Sequence, residues 1–147
     1  MYKHILIPTD GSATAEKAVA AGLKFASWAK ATVTVFTAMP EFRIPTSADV
    51  AARKVMPIAE YERRTMAQAN KRLDKVARRA KAARVKLQTA AVLSDRPAEA
   101  IVAAAKKNGC DLIFIGSRGR TGLSAFFLGS QTHEVLNRSR IPTLVYR

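Results

Sequence analysis

The chain has 147 residues, of which 48% are hydrophobic and 24% are charged, and its formal net charge is +14 at pH 7. This composition excludes a disordered chain and predicts one globular domain over residues 1–147. Its single cysteine, Cys110, excludes an internal disulfide and favours a reducing compartment. The apolar run at residues 5–8 is too short for a signal peptide or a membrane span, so we expect a soluble, cytoplasmic protein.

Strand and helix signals alternate along the chain. Continuous apolar or β-branched runs are typical of buried strands, and apolar residues at helical spacing indicate amphipathic helices. Ser12 and Ser130 are placed to cap two helices, and Pro97 lies in the first turn of another. In chain order we predict a strand at 2–8, a helix at 13–30, a strand at 32–38, a loop with a short helical piece at 39–52, a helix at 57–83, a strand at 85–92, a helix from 97 to 108, a strand at 111–115, a helix at 130–137 and a strand at 142–147.

This alternation predicts an α/β fold with right-handed crossovers and a doubly wound, five-stranded parallel sheet. In such sheets, ligands bind outside the carboxyl ends of the strands, where the strand order reverses. Polar turns that contain glycine follow only the first and the fourth strand, at residues 9–12 and 116–130. If these two strands are neighbours, the strand order is 3-2-1-4-5 and both turns face one crevice.

The glycine-rich segment 116–130 carries the strongest functional signal. Glycines lie at 116, 119, 122 and 129, and Ser130 follows the last of them. Backbone N–H groups in such a loop, together with the N-terminus of the next helix, form a site for anions. The segment is not a Walker A loop, because it has no lysine, and its first gap is too long for a dinucleotide-binding fingerprint. We interpret it as holding the phosphates of a nucleotide, with ordinary turn glycines as the alternative.

The spacing Gly116-x2-Gly119-x9-Gly129-Ser130 resembles the ATP-binding signature of the universal stress protein family. The opening ILIPTDGS and the closing IPTLVYR are similar to that family's first and last strands, and the similarity covers essentially the whole chain. It implies a Rossmann-like, adenine nucleotide alpha hydrolase-like three-layer sandwich with strand order 3-2-1-4-5. Family members commonly form homodimers through the last strand, here residues 142–147 from Pro142 to Arg147. An apolar strand at a sheet edge also favours pairing with a second copy.

The resemblance to the ATP-binding subgroup implies a set of binding residues, with ATP as the cofactor, alone or with Mg²⁺. The implied residues are Gly116, Arg118, Gly119, Gly129, Ser130, Gln131 and Thr132 around the ribose and phosphates, Pro8, Thr9 and Asp10 beside the adenine and ribose, and Ala38 at the adenine through its backbone. Asp10 can accept ribose hydroxyls or hold a metal through water, and Ser130 can donate to phosphate. For Arg118, a phosphate contact and an exposed loop position remain equal alternatives.

A hydrolase needs a positioned base and a metal cluster near the γ-phosphate. Asp10 is the only carboxylate that we expect in the crevice, and His133, one turn into a helix, is interpreted as structural. We therefore expect a nucleotide-dependent module of the stress response with at most slow ATP hydrolysis and no catalytic residue. A Mg²⁺-dependent ATPase or a nucleotidyl-transferring enzyme is the alternative.

A basic segment lies outside this site. Between Arg53 and Lys86, twelve Lys and Arg residues stand against Glu60, Glu62 and Asp74. Such a surface attracts nucleic acid, anionic membrane or acidic proteins, or it is a solvated helix face. We favour the solvated face, because within this segment only one aromatic residue, Tyr61, is interleaved with the charges. Nucleic acid and membrane are therefore not expected as partners.

Overall fold

The computed structural model describes residues 1–117 and 128–147. Its elements are β1 (His4–Pro8), α1 (Ala13–Ala29), β2 (Thr32–Met39), α2 (Ser47–Ala51), α3 (Ile58–Ala82), β3 (Leu87–Leu93), α4 (Pro97–Lys107), β4 (Leu112–Gly116), α5 (Ser130–Arg138) and β5 (Thr143–Tyr146). The five parallel strands form one sheet in the order β3-β2-β1-β4-β5. The predicted sheet and its order are confirmed.

Strand β1 lies at the centre of the sheet, between β2 and β4. Its register sets Ile5 opposite both Val33 and Leu112. Ile5 is fully buried, and it packs with Ile7 under α1 and α3, whereas Leu6 packs under α4 and α5. Side chains alternate between the two faces of a strand, so helices on both sides give the continuous apolar pattern of β1. The result is the three-layer, Rossmann-like arrangement.

Helix α1 lies close to β1. It begins as predicted, with the hydroxyl of Ser12 accepting a hydrogen bond from the Ala15 N–H at 3.1 Å. Gly22 faces the sheet, and a Cβ atom at this position would lie 2.6 Å from Cδ1 of Ile7. The absence of a side chain at Gly22 therefore allows the close approach.

Helix α5 starts differently from the prediction. The sequence indicated Ser130 as its cap, but Ser130 is the first helical residue and Gly129 is the N-cap, without a side-chain capping bond. The backbone of Gly129 is extended, and its carbonyl oxygen already accepts the His133 N–H at 2.9 Å. The helical hydrogen bonds thus begin one residue earlier than expected. For α4 the prediction is confirmed, since Pro97 is its first residue.

Two strands begin two residues later than predicted, and β4 and β5 each begin one residue later. The register pairs His4 with Thr32, the first residue of β2, and Tyr2 and Lys3 before it are exposed. Strand β3 begins two residues late because the Val85 N–H donates to the carbonyl of Ala80 at 2.9 Å and closes the end of α3. In the part of the chain that the structure describes, no helix is long and apolar enough to cross a membrane.

Candidate functional site

A cavity of about 400 Å³ lies at the carboxyl ends of the central strands. Nine of the eleven residues that the sequence implied line it: Pro8, Thr9, Asp10, Ala38, Gly116, Gly129, Ser130, Gln131 and Thr132. The other two, Arg118 and Gly119, lie outside the described residues. The turn after β1 meets the end of β4 and the start of α5 here because β1 and β4 are neighbours in the sheet.

The turn after β1 is fixed by hydrogen bonds to β2. The Thr9 N–H donates to the carbonyl of Phe36 at 2.8 Å, and the Thr37 hydroxyl donates to the carbonyl of Thr9 at 2.8 Å. Within the turn, Oδ1 of Asp10 accepts the Ser12 N–H at 2.9 Å. The carboxylate therefore holds one orientation at the cavity wall and is attached to the rigid centre of the sheet.

The opposite wall is the start of α5. The Gly129 N–H donates to the carbonyl of Ser117 at 2.7 Å, and the buried Thr132 hydroxyl donates to the carbonyl of Gly116 at 2.8 Å. These bonds attach the first turn of α5 to the end of β4. The first N–H groups of a helix have no partner inside the helix and carry positive partial charge, so this wall suits an anion.

Gln131 has a structural task at this wall. Its side-chain Oε1 accepts the Ala98 N–H at 3.1 Å. Since Ala98 lies in the first turn of α4 and Arg96 offers no side-chain cap there, Gln131 caps a neighbouring helix. The N-termini of α4 and α5 are thereby joined at the cavity.

Two arginines, Arg43 and Arg72, also line the cavity. The sequence analysis did not assign either of them to it. Arg72 reaches from α3 over the turn after β1, where its Nη1 donates to the Thr37 hydroxyl at 2.8 Å. A Cβ atom at Gly11 would lie 2.7 Å from Nε of Arg72. The helical pattern held a signal, because Arg72 lies four residues before the buried Val76 and so on the inner side of α3.

A second carboxylate lines the cavity. The expectation that Asp10 would be the only one is wrong, because Asp95 also lies in the wall. Strand β3 ends at Leu93, so the turn after it lies at the carboxyl ends of the strands, as the cavity does. In this turn, Oδ1 of Asp95 accepts the Glu41 N–H at 3.1 Å. Within residues 1–117 and 128–147, no three His, Cys, Asp or Glu side chains come together as a metal site would require.

The only cysteine does not line this cavity. It lies directly before β4, at the amino ends of the strands. Burial raises the pKa of the Cys110 thiol. A thiol held in its protonated form is a weak nucleophile, which favours a structural role for this buried side chain.

Comparison with known proteins places the chain in a family. Residues 1–147 match the family model described as the universal stress protein family. The chain belongs to this family. The universal stress protein YxiE of Bacillus subtilis is 30% identical over 149 residues, which cover both proteins completely. The universal stress protein MJ0531 of Methanocaldococcus jannaschii is 31% identical over 150 residues, covering all of this chain and 83% of that protein.

Solved structures have the same fold. The universal stress protein UspA from Lactobacillus plantarum superposes with a TM-score of 0.81 at 22% identity and covers 99% of this chain and 98% of its own. Protein MJ0577 of Methanocaldococcus jannaschii gives a TM-score of 0.77 at 27% identity, covering 99% of this chain and 95% of its own.

Three further structures of the family are nucleotide complexes. One is a universal stress protein with cAMP, at 24% identity to this chain. The others are the Archaeoglobus fulgidus protein with dAMP, at 16% identity, and an Arabidopsis thaliana protein with AMP bound, at 12% identity. Each has a TM-score of 0.66 and covers at least 97% of this chain. At these identities they show the fold of this chain.

Proposed function

We propose that this protein binds an adenine nucleotide, ATP in particular, in the cavity between the turns that follow β1 and β4. One observation carries the proposal. A fixed carboxylate, the first turn of a helix and two guanidinium groups line the same cavity of about 400 Å³. This volume is in the range of small-molecule sites. The cAMP, dAMP and AMP complexes of other members of the family support adenine as the base.

The lining of the cavity combines apolar and polar residues. Phe36, Ala38 and Ile101 supply apolar surface for the adenine. In the proposed arrangement the phosphates accept hydrogen bonds from the first turn of α5 at Ser130, and Asp10 accepts the ribose hydroxyls. The family signature implies further phosphate contacts from Arg118 and Gly119, which lie outside the described residues.

The proposed arrangement favours a triphosphate over a monophosphate, because Asp10 faces the ribose while the first turn of α5 and the two arginines lie toward the phosphates; Asp95 offsets part of this positive charge. Arg43 and Arg72 both contribute to the cavity lining, and each added phosphate charge gains Coulomb energy from such cations. We therefore expect affinity to increase from AMP to ADP to ATP. Isothermal titration calorimetry with the three nucleotides measures the order, and mass spectrometry of freshly purified protein identifies any nucleotide that co-purifies.

The variant Ser130→Asp tests the phosphate position. A carboxylate in the first turn of α5 repels the phosphates, so we expect ATP affinity to fall at least about tenfold. The folded protein should not lose stability, because an acidic residue in the first turn of a helix is favourable. Calorimetry with ATP and urea unfolding measure the two effects.

The matched control is Ala59→Asp. Ala59 is exposed in the first turn of α3 and is not part of the cavity lining, so the variant makes the same charge change elsewhere. We expect its ATP affinity to stay close to that of the wild type. Equal affinity losses in both variants, or none in Ser130→Asp, would remove the proposed site.

We propose a regulatory role with at most slow ATP hydrolysis. Asp10 and Asp95 are the carboxylates in the described part of the lining, and with MgATP they can meet the metal through water. Phosphate release measured with MgATP should stay well below about one turnover per second. Faster turnover that disappears in Asp10→Asn would establish the alternative, an ATPase.

We further propose a homodimer that forms through the last strand, residues 142–147. Strand β5 pairs with β4 on one side and lies at the edge of the sheet. A strand at an edge offers main-chain donors and acceptors to a second copy, and a twofold dimer uses them on both copies at once.

The single buried cysteine agrees with the reducing conditions of the cytoplasm, where we propose that the protein acts.

A further inference from the structure

Helices α1 and α3 lie side by side on one face of the sheet. Oε2 of Glu16 on α1 forms ion pairs with Lys75 at 3.2 Å and Arg79 at 2.6 Å on α3. At the other end of α1, the Ser27 hydroxyl donates to the carbonyl of Ala83 at 3.4 Å. The outer surfaces of the two helices therefore form one continuous surface, which we call the α1–α3 face.

The α1–α3 face is strongly basic. Its exposed cations are Lys17, Lys24 and Lys30 on α1 and its C-cap, and Lys71, Arg78, Lys81, Arg84 and Lys86 on and after α3. Among the described residues, none of these eight pairs with a carboxylate within 4.0 Å. Glu16 is already engaged, Asp74 lies among these cations in the sequence, and Glu60 and Glu62 lie near the start of α3, where Glu60 pairs with Arg64. Much of the net charge of +14 therefore lies here and is free to attract an anionic partner.

The only tryptophan of the chain projects from the outer stripe of α1 at the margin of this face, on the flank of the helix toward β4 and away from α3. Trp28 is 70% exposed and lies four residues after Lys24, on the outer stripe of α1. Its ring contacts Phe25, with a centroid distance of 5.9 Å and an angle of 44°, and the Phe25 ring contacts Phe114 at 5.9 Å. The indole is thus supported at one side by the core while most of its surface faces solvent.

We propose that the α1–α3 face binds a single strand of nucleic acid, with Trp28 stacking on a base and the surrounding cations neutralising phosphates. Stacking on an aromatic side chain requires an unpaired base, which selects single strands over duplexes. The cations and Trp28 extend over about 15 Å along each helix, from Lys17 to Trp28 on α1 and from Lys71 to Lys81 on α3. This is enough length for several consecutive phosphates.

The basic segment at residues 53–86 does not contain the exposed aromatic residue of this face, Trp28. Tyr61 lies within that segment, but its hydroxyl donates to the carbonyl of Pro40 at 3.0 Å and its ring packs against Phe42. Trp28 comes from a different part of the sequence and joins the basic surface only because α1 and α3 are adjacent. The reason for excluding nucleic acid as a partner therefore no longer holds.

A membrane surface suits this face less well. Adsorption to a bilayer needs an apolar stripe of large side chains that enters the headgroup region. On the outer stripe of α1, the exposed neighbours of Trp28 are Lys17, Ala20 and Lys24, and the outer side of α3 carries polar and charged residues. One indole offers too little apolar area, whereas it suffices as a stacking platform.

The single tryptophan makes the test direct. The full-length protein, saturated with ATP to keep the cavity occupied, is titrated with a 15-nucleotide oligouridine RNA while Trp28 emission is followed. We expect quenching, and if about four phosphates are contacted, affinity should fall about 50-fold between about 50 and about 200 mM salt. An emission that does not respond, or binding without salt dependence, would overturn the proposal.

Variants separate stacking from general attraction by charge. With a fluorescently labelled oligouridine, Trp28→Ala should weaken binding at least about fivefold, and Trp28→Phe should restore most of it. The double variant Lys71→Glu/Arg78→Glu should weaken binding more than Lys106→Glu/Lys107→Glu, which makes the same charge change on α4, across the sheet. ATP affinity should be unchanged in all of them, which confirms folding and separates this face from the cavity.

Two outcomes would refute the proposal in favour of another explanation. Equal losses in the two double variants would mean that the oligonucleotide is attracted by net charge alone. A blue shift of Trp28 emission with phosphatidylglycerol vesicles, together with no response to oligouridine, would identify the face as a membrane surface.

Discussion

Gly11 and Arg72 are in contact over the turn that carries Asp10. Gly11 has a φ of 77°, a left-handed conformation that residues with a side chain adopt only at a cost, and the Arg72 guanidinium lies directly above it. A glycine in this turn was visible in the sequence. The contact with Arg72 was not, because the helical spacing shows only that Arg72 lies on the inner side of α3, and the turn that it covers depends on how the helix is placed on the sheet.

Substituting Gly11 tests this contact, and Gly109 provides the matched control. Gly109 has a φ of 65°, but a Cβ atom there would meet no other atom within 4 Å. Both Gly→Ala variants should lose about 1 kcal/mol of stability from backbone strain. Only Gly11→Ala also displaces Arg72, so only this variant should lose ATP affinity, by at least about threefold. Urea unfolding and calorimetry measure the two effects, and ATP binding that is equal in both variants would contradict the role of Arg72.

At the scale of the elements, the starts of β1 and β4 are joined by one side chain. The carboxylate of Asp111 accepts hydrogen bonds from the N–H groups of Lys3 at 2.8 Å and His4 at 3.0 Å. Burial acts to raise the pKa of Asp111, but these two hydrogen bonds, together with the N–H of Asp111 itself and the electrostatic effect of His4, outweigh it and hold the pKa below its ordinary value. The charged form of this carboxylate therefore stabilises the central strand pair whose other end forms the cavity.

Because the folded-state pKa of Asp111 is lowered, its contribution to stability should be present above about pH 4 and lost as the pH falls through the folded-state value. We expect Asp111→Ala to lose about 1 kcal/mol at pH 7, a modest figure because the site is partly exposed, and to approach the wild type once the pH falls below the folded-state pKa. Asp111→Asn keeps one acceptor and should lie between them at pH 7. Urea unfolding across pH measures this, and a loss that is independent of pH would contradict it.

At the scale of the whole molecule, the strand order followed from two polar turns. In a parallel sheet, turns that carry ligand groups belong to neighbouring strands at the point where the order reverses, and the turns after β1 and β4 obey that rule. The residues in these turns could therefore be named from the sequence. Arg43, Arg72 and Asp95 could not, because they reach the cavity from a loop, a helix and the turn after β3, whose positions depend on tertiary packing.

The proposed dimer can be tested at the edge of the sheet. The carbonyls of Pro142 and Tyr146 accept hydrogen bonds from β4, so the alternating residues Thr143 and Val145 direct their N–H groups away from it. Val145→Pro removes an outward donor and leaves the bonds to β4 in place, whereas Val145→Thr keeps the donor. Light scattering should give a dimer mass for the wild type and Val145→Thr, and a monomer mass for Val145→Pro. A monomeric wild type would refute the dimer.

Ser117 connects the edge strand to the cavity through its own peptide groups. Its N–H donates to the carbonyl of Tyr146 at 2.7 Å, and its carbonyl accepts the Gly129 N–H at 2.7 Å. The N–H protons of Ser117 and Gly129 can exchange with deuterated solvent only when the chain opens around Ser117. We therefore expect these two N–H groups to exchange together, as one cooperative unit. A ligand that slows exchange at the start of α5 should therefore also slow it at the end of β4, which would couple the proposed nucleotide site to the proposed dimer edge.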